Sequence, residues 1–431
     1  MNKKEILDYI MNTPWNTNVA VLGGMLDSLE RSSDESTPDG PTFNDGKTRL
    51  FVTVASVDLP TIHVHLGCTV VGGVTIDWGD GSSTEVTTST ERTRYSHSYS
   101  AAGDYIIALE VTNGELILEG ADNGESTLEN IMQLIPYQES IPYYNNVLKR
   151  VEIGNGVTSI GESAFFSCRL LTTVVISESV TSIGANAFGN CSALTAIVIP
   201  SSVTSIGANA FISCFSLTSV AIPENVTSIG AYAFYGCYSL TSVVIPSSVT
   251  SIGANAFSNC HSLTSVAIPS SVTSIGDGAF SSCLSLTSVT ISEGATSIGA
   301  YVFEGCAALT SVVIPSSVTS IEGGAFSGCL ALTSIAIPSS VTSIGANAFD
   351  SCPALTSVVI PSSVTSIGAY AFYSCKSLYG VHLLSPTPPS IGEEAFANLL
   401  SGYKIYIPAG SLEAYSTAAN WNSYASMLVE E

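Results

Sequence analysis

Apolar residues recur along most of this chain in one fixed arrangement. The copy that starts at Leu240 reads LTSVVIPSSVTSIGANAFSNCHS. Its apolar set is Leu240, Val243, Ile245, Val249, Ile252, Ala256, Phe257 and Cys260, with Ser, Thr, Asn and Gly between. The unit of 23 residues starts again at Leu263, Leu286, Leu309, Leu332 and Leu355, and earlier at Leu171, Leu194 and Leu217. A fixed period of this size predicts a solenoid, in which each rung buries its apolar side against its neighbours. Within a rung, LxxVxI predicts a strand. Pro246 has no N–H to give a ladder, so that strand ends there. VTSI predicts a second extended piece, and ANAFSNC is long enough for one helical turn.

Before the repeats the pattern changes. Residues 1–30 predict two short helices broken near Pro14, with Asn18 as cap and Val19, Leu22, Leu26 and Leu29 at helical spacing. Residues 31–47 are polar, rich in turn formers, and predict a linker. From 48 to 120 the period falls to two. FVTVASV, HVHLGCTV, VTIDW and YIIALEV are strand-like runs between Gly, Asp and Ser clusters, which predicts a small β-sandwich. Residues 121–150 read as a bridge, 151–400 as the solenoid and 401–431 as a cap. A cap is needed because the last rung would otherwise expose unpaired backbone and apolar surface. The expected fold class is thus β-rich: a solenoid of strand-plus-turn or short-helix rungs after a small Ig-like sandwich and a helical leader.

Composition narrows the function. Charged residues make up only 11% of the chain, and the formal net charge is −23. Nine of the 12 Lys and Arg precede residue 151, so the repeats carry no basic patch. That argues against nucleic acid or an anionic membrane as partner. No stretch of 18 apolar residues predicts a membrane span. Residues 1–30 lack the continuous apolar segment of a signal peptide, so general secretory export is not expected. Ten cysteines stand one period apart, from Cys168 to Cys375, and Cys68 stands alone. Stacked equivalent positions have parallel Cβ vectors, which is poor disulfide geometry. The ladder is therefore expected to be buried and reduced, acting as small hydrophobes.

Three resemblances follow from quoted residues. IDWGDGSSTEV and YSHSYSAAGDYIIALEV, with Trp78-Gly79-Asp80-Gly81, His97-Ser98-Tyr99 and Gly103-Asp104-Tyr105, resemble the PKD-like immunoglobulin-type domain. That resemblance implies a seven-stranded sandwich used as spacer or adhesion module. The repeat is similar to the BspA-like leucine-rich repeat family, whose units read LTSITIP…SVTSIG…AF.GC. It implies a right-handed solenoid in a surface or phage-associated binding protein, and the tail with Tyr415, Trp421, Tyr424 and Leu428 resembles that family's C-terminal cap. Finally, LDYIMNTPWNTNVAVLGGMLDSL resembles the leader of phage and prophage tail structural proteins.

Candidate chemistry is sparse. His63, His65 and His97 suggest zinc only weakly, and Asp77, Asp80 and Asp104 give no complete calcium cage. No nucleophile elbow, P-loop, metalloprotease helix or dinucleotide fingerprint occurs, so no enzyme and no cofactor are expected. Departures from the repeat are the better guide. The positions after Phe and after Cys vary most, giving Ile212 and Phe215, Tyr235 and Tyr238, then His261, with Tyr232 alongside. At rung spacing Phe215, Tyr238 and His261 are expected to form an aromatic strip, and Tyr370, Tyr373 and Lys376 a second cluster. Exposed aromatics suit a protein or glycan partner. An outward row of Val175, Val198, Ala221, Val244, Ala267, Thr290, Val313, Ala336 and Val359 suggests a contact face, including self-association. The expected function is non-enzymatic binding. The first reading is a phage or prophage tail fibre or receptor-binding protein, attached to the virion through residues 1–30 and recognising a bacterial surface partner. The alternative is a bacterial surface adhesin for host protein or glycan.

Overall fold

A computed structural model describes residues 45–54, 61–67, 72–88, 93–113, 116–118, 133–134 and 148–431. The helical leader expected over 1–30, most of the linker and most of the bridge lie outside the described residues.

Each repeat closes one rung, and three backbone ladders tie rungs together. The LxxVxI segments pair in parallel: Ser219–Ala221 lies beside Ser242–Val244 with Val220 next to Val243. The VTSI segments do the same, with Ile229 next to Ile252. The register advances one period per rung, so identical side chains stack in rows. All eight apolar positions of the Leu240 copy are buried. The largest row is a ladder of phenylalanines from Phe165 to Phe396. Phe211 and Phe234, for example, stack with centroids 5.2 Å apart and planes 6° apart.

The third ladder corrects the expected helical turn. ANAFSNC forms consecutive tight turns, with Asn255 and Asn259 in the left-handed region at φ 53° and 60°. A helix would spend its N–H groups on its own carbonyls. Here alternate N–H groups reach the next rung: Asn255 to Asp277 O, Phe257 to Ala279 O and Asn259 to Ser281 O, each 2.8 Å. Asn recurs at these corners because it tolerates the left-handed conformation better than most residues.

The N-terminal strands form two sheets. β1 (Thr48–Val54), β3 (Gly72–Asp77), β4 (Ser83–Thr88) and β6 (Gly103–Asn113) make one, in the order β1-β6-β3-β4. β2 (Thr61–Gly67), β5 (Thr93–Ser98) and β7 (Leu116–Leu118) make the other, with β8 (Gln133–Leu134) beside β2. Both sheets run on into the solenoid. β9 (Leu148–Ile153) pairs antiparallel with β1 and parallel with β11 (Thr173–Ile176). β10 (Val157–Ile160) pairs parallel with β7 and with Ser182–Ile183. The strand-and-turn solenoid after a small two-sheeted β module agrees with the expected fold class.

At the other end, Lys404–Ile407 pairs with Gly380–Leu383 and then with Leu428–Glu430. Between them come the helix Leu412–Thr417 and a 3₁₀ segment, Trp421–Met427. Trp421 is fully buried, its Nε1 donating to Pro389 O at 2.7 Å. Tyr424 sets its ring edge on Phe396. The phenylalanine ladder therefore ends on aromatic rings rather than in water.

Candidate functional site

Turn geometry decides which side chains leave the rung. The residue after each cysteine points outward, so one such residue per rung forms a row. In that row Phe215 stacks on Tyr238 at 4.9 Å and 9°, and Tyr238 on His261 at 4.6 Å and 7°. Phe215 is 41% and Tyr238 43% exposed. Sequence reading stopped at His261, but the row continues through the exposed Leu284 and Leu330. Their signal was available: both directly follow a ladder cysteine, Cys283 and Cys329. Lys376 belongs to the same row and is exposed.

The geometry of this stack matters for what it can bind. Each ring of a stack covers its neighbour's face. Tyr238 has a ring on both sides, so it offers its edge and hydroxyl to a partner. The result is an apolar ridge with polar tips.

The residue after each phenylalanine makes a second row, in which Ile212, Tyr235 and Tyr373 are half-buried. Tyr235 meets Tyr232 at 5.6 Å and 58°. Tyr373 meets Tyr370 at 5.5 Å and 80°. Tyr232 and Tyr370 occupy the left-handed corner that is Asn in the commonest copies, at φ 56° and 59°. Tyr301 does likewise at φ 58° and is exposed, though the sequence reading passed it over. These three tyrosines stand three rungs apart, a spacing legible in the sequence. The structure joins Tyr370 to Tyr373 and places Lys376 in the other row.

The Val and Ala row is exposed along its length, with Val198 and Val313 most open. Beside it the exposed threonines bond back to the backbone of the preceding rung: Thr241 Oγ1 donates to Thr218 O at 3.2 Å, and the pattern repeats rung after rung. In the N-terminal module, His97 stacks on Trp78 at 5.0 Å and its Nε2 lies 2.7 Å from Asp80 Oδ2. Hydrogen bonds from Ser82, and His97 beside it, lower the Asp80 carboxyl to about 2. Asp77 accepts the Gly79 N–H, and Asp104 lies 3.8 Å from Lys149 Nζ. Of the three aspartates weighed for calcium, Asp77 and Asp80 thus serve as turn acceptors and Asp104 lies near Lys149. Among the described residues no three His, Cys, Asp or Glu side chains converge on a metal-sized site.

A cleft of about 880 Å³ opens between the last rung and the capping segment, lined among others by Tyr373, Glu393, Glu394, Asn398, Asn422 and Tyr424.

Comparison with known proteins bears on the repeats. The family described as "BspA type Leucine rich repeat region" matches in six copies, over residues 139–263, 227–355 and 296–425. A leucine-rich repeat protein of Bacteroides ovatus is similar at 35% identity and a TM-score of 0.50, over 53% of this chain and 59% of that one. The chain thus spans less than two thirds of that protein. A leucine-rich cell surface protein of Faecalibacterium prausnitzii is similar at 30% identity and a TM-score of 0.36, over 66% of this chain and 90% of that one. A Treponema pallidum leucine-rich repeat protein shares 28% identity over 48% of this chain and 83% of its own, with a TM-score of 0.34. No curated protein matches the chain.

Proposed function

Since the chain belongs to the BspA-type leucine-rich repeat family, we propose that it is a non-enzymatic binding protein whose solenoid recognises a protein at a bacterial surface. The observation that carries this reading is the exposed ring stack of Phe215, Tyr238 and His261. Core rows are dictated by packing, whereas this row is free to vary and has become aromatic over adjacent rungs. Aromatic anchors with polar tips are the residues that dominate protein interfaces. Stacked faces leave edges, and edges fit an apolar groove better than they fit a sugar ring. Leu284 and Leu330 extend the same apolar contact line. The formal charge of −23 adds repulsion toward anionic surfaces.

The expected outcome of replacing Phe215 and Tyr238 by Ala is at least about tenfold weaker binding to target cells, with the melting temperature nearly unchanged. Unaltered cell binding removes the ridge from the reading.

Two mountings fit this recognition role. A surface adhesin is supported by the Faecalibacterium relative's description as a cell surface protein. A phage tail attachment is supported by the resemblance of the leader, residues 1–30. Immunogold labelling of induced cultures separates them: gold on released particles favours the tail, gold on intact cells the adhesin.

A further inference from the structure

The last full corner of the solenoid breaks the repeat in a directed way. Where the commonest copies read Gly-Ala-Asn-Ala-Phe, this one reads Gly392-Glu393-Glu394-Ala395-Phe396, followed by Ala397 and Asn398. Glu394 holds the left-handed corner at φ 51°, a conformation that costs a β-carbon-bearing residue roughly 1–2 kcal/mol. Facing this corner are Asn420, Asn422, Ser423 and Tyr424 of the capping segment, and between them lies the cleft of about 880 Å³. That volume is in the range of small-ligand sites.

Tyr373 enters the cleft under different conditions from Tyr238. One rung further on, its row holds Ala397, whose methyl group is too small to cover a ring. Among the described residues Tyr370 is the one ring packed on it, and it packs edge to face. Tyr373 therefore lines the cleft without the parallel ring neighbours that a ridge residue has. Polar groups line the cleft with it. Asn398 Nδ2 donates to Ser374 Oγ at 2.7 Å and Asn420 Nδ2 to Ile391 O at 2.8 Å, so both amides are held by their donor end and offer Oδ1 as acceptor. Glu393 and Glu394 are exposed, and their charges, Glu393 first, raise the Tyr370 hydroxyl above its ordinary pKa. No Lys or Arg lines this cleft. A more apolar pocket of about 520 Å³ adjoins it, sharing Ala397, Asn398, Ser423 and Tyr424.

We propose that this cleft is a glycan-binding site that takes a neutral sugar residue on the face of Tyr373, with the chain continuing into the adjoining pocket. An apolar ring face matches the C–H face of a pyranose. Two carboxylates and several amides match vicinal hydroxyls, each of which donates one hydrogen bond and accepts others. The same carboxylates repel an acidic sugar residue in the cleft itself, where no cation lines the wall, while Lys404 lines the adjoining pocket. The site is independent of the ridge formed by Phe215, Tyr238 and His261.

The test titrates the full chain with soluble oligosaccharides ending in glucose, galactose or N-acetylglucosamine, and with sialylated and uronate-containing counterparts. The expected result is binding of at least one neutral oligosaccharide, weakened about tenfold or more by Tyr373→Ala and by Asn422→Ala, and kept by Tyr238→Ala. Asn422 is exposed, so its loss leaves the fold intact. The proposal is overturned if no neutral oligosaccharide binds at millimolar concentration. Acidic sugars binding better overturns it too, as does unchanged affinity in the Asn422→Ala protein.

Discussion

Each ladder cysteine after Cys168 gives its thiol hydrogen to the phenylalanine carbonyl of the rung before: Cys237 to Phe211 O at 3.3 Å, Cys260 to Phe234 O at 3.4 Å. All ten are buried and unpaired by disulfides, as parallel stacking requires. Burial pushes the thiols of Cys168, Cys214 and Cys306 from 9.0 up to about 12. In the unfolded chain they ionise near the ordinary value, so between pH 9 and 12 the folded state holds more protons. Stability is then full below about pH 9 and falls as pH rises, by up to roughly 1.4 kcal/mol per unit for each such thiol. Melting temperatures from pH 7 to 11 are expected to be level and then drop steeply. Cys214→Ala should make the drop shallower, and an unchanged slope would refute the buried-thiol account. The tyrosines at Tyr232, Tyr301 and Tyr370 obey a different logic. They sit in left-handed corners that Asn or Gly fills at lower cost, so packing alone does not explain them.

At the scale of the rung, the recurrent Gly after VTSI marks a close approach of backbone to backbone. A Cβ on Gly207 would lie 2.6 Å from the carbonyl carbon of Gly184. On Gly299 the nearest atom would be Ile275 O, at 3.0 Å. The rungs are looser there: the VTSI ladder is interrupted between Ser274–Ile275 and Ser297–Ile298, and the next rung places Glu322 at the glycine position. The Gly299 rung itself exchanges core volume, with buried Ala295 where neighbours have Val and buried Val302 where they have Ala. Gly207→Ala is expected to cost about 1–3 kcal/mol, as overpacking does, and Gly299→Ala clearly less. Urea melts of the two variants check the order, and equal losses would show that the corner spacing is not what selects glycine. The glycine was legible as a repeat position. Its reason was not, because close approach is a relation between rungs 23 residues apart.

At the scale of the molecule, the N-terminal sheets are continuous with the solenoid. β9 is bonded on one side to β1 and on the other to β11. The module thus covers the backbone edge and apolar end that the first rung would otherwise present to water. At the seam, buried Arg150 and Glu152 pair at 2.7 Å, with the guanidinium over the Phe51 ring at 5.2 Å. Glu152→Ala leaves a buried charge without this partner and is expected to cost roughly 3–5 kcal/mol. Removing residues 48–118 should lower the melting temperature of the remaining solenoid and promote its association. A truncated chain that melts like the parent and stays monomeric would mean that the module is only a spacer.

The sequence by itself determined the rung. Its period, apolar rows, reduced cysteines and aromatic departures all follow from one-dimensional spacing, because stacking at fixed register turns a sequence interval into a contact. The partition of the aromatics was decided only by tertiary structure. Phe215, Tyr238 and His261 became a ridge because neighbouring rungs both carry rings. Tyr373 stayed out of such a stack because Ala397 follows it, and it lines the cleft below the capping segment. The joining of the β module to the first rung was likewise outside the reach of spacing. Strand pairing between β1 and β9 depends on which edges meet in space, and no interval along the chain encodes that meeting.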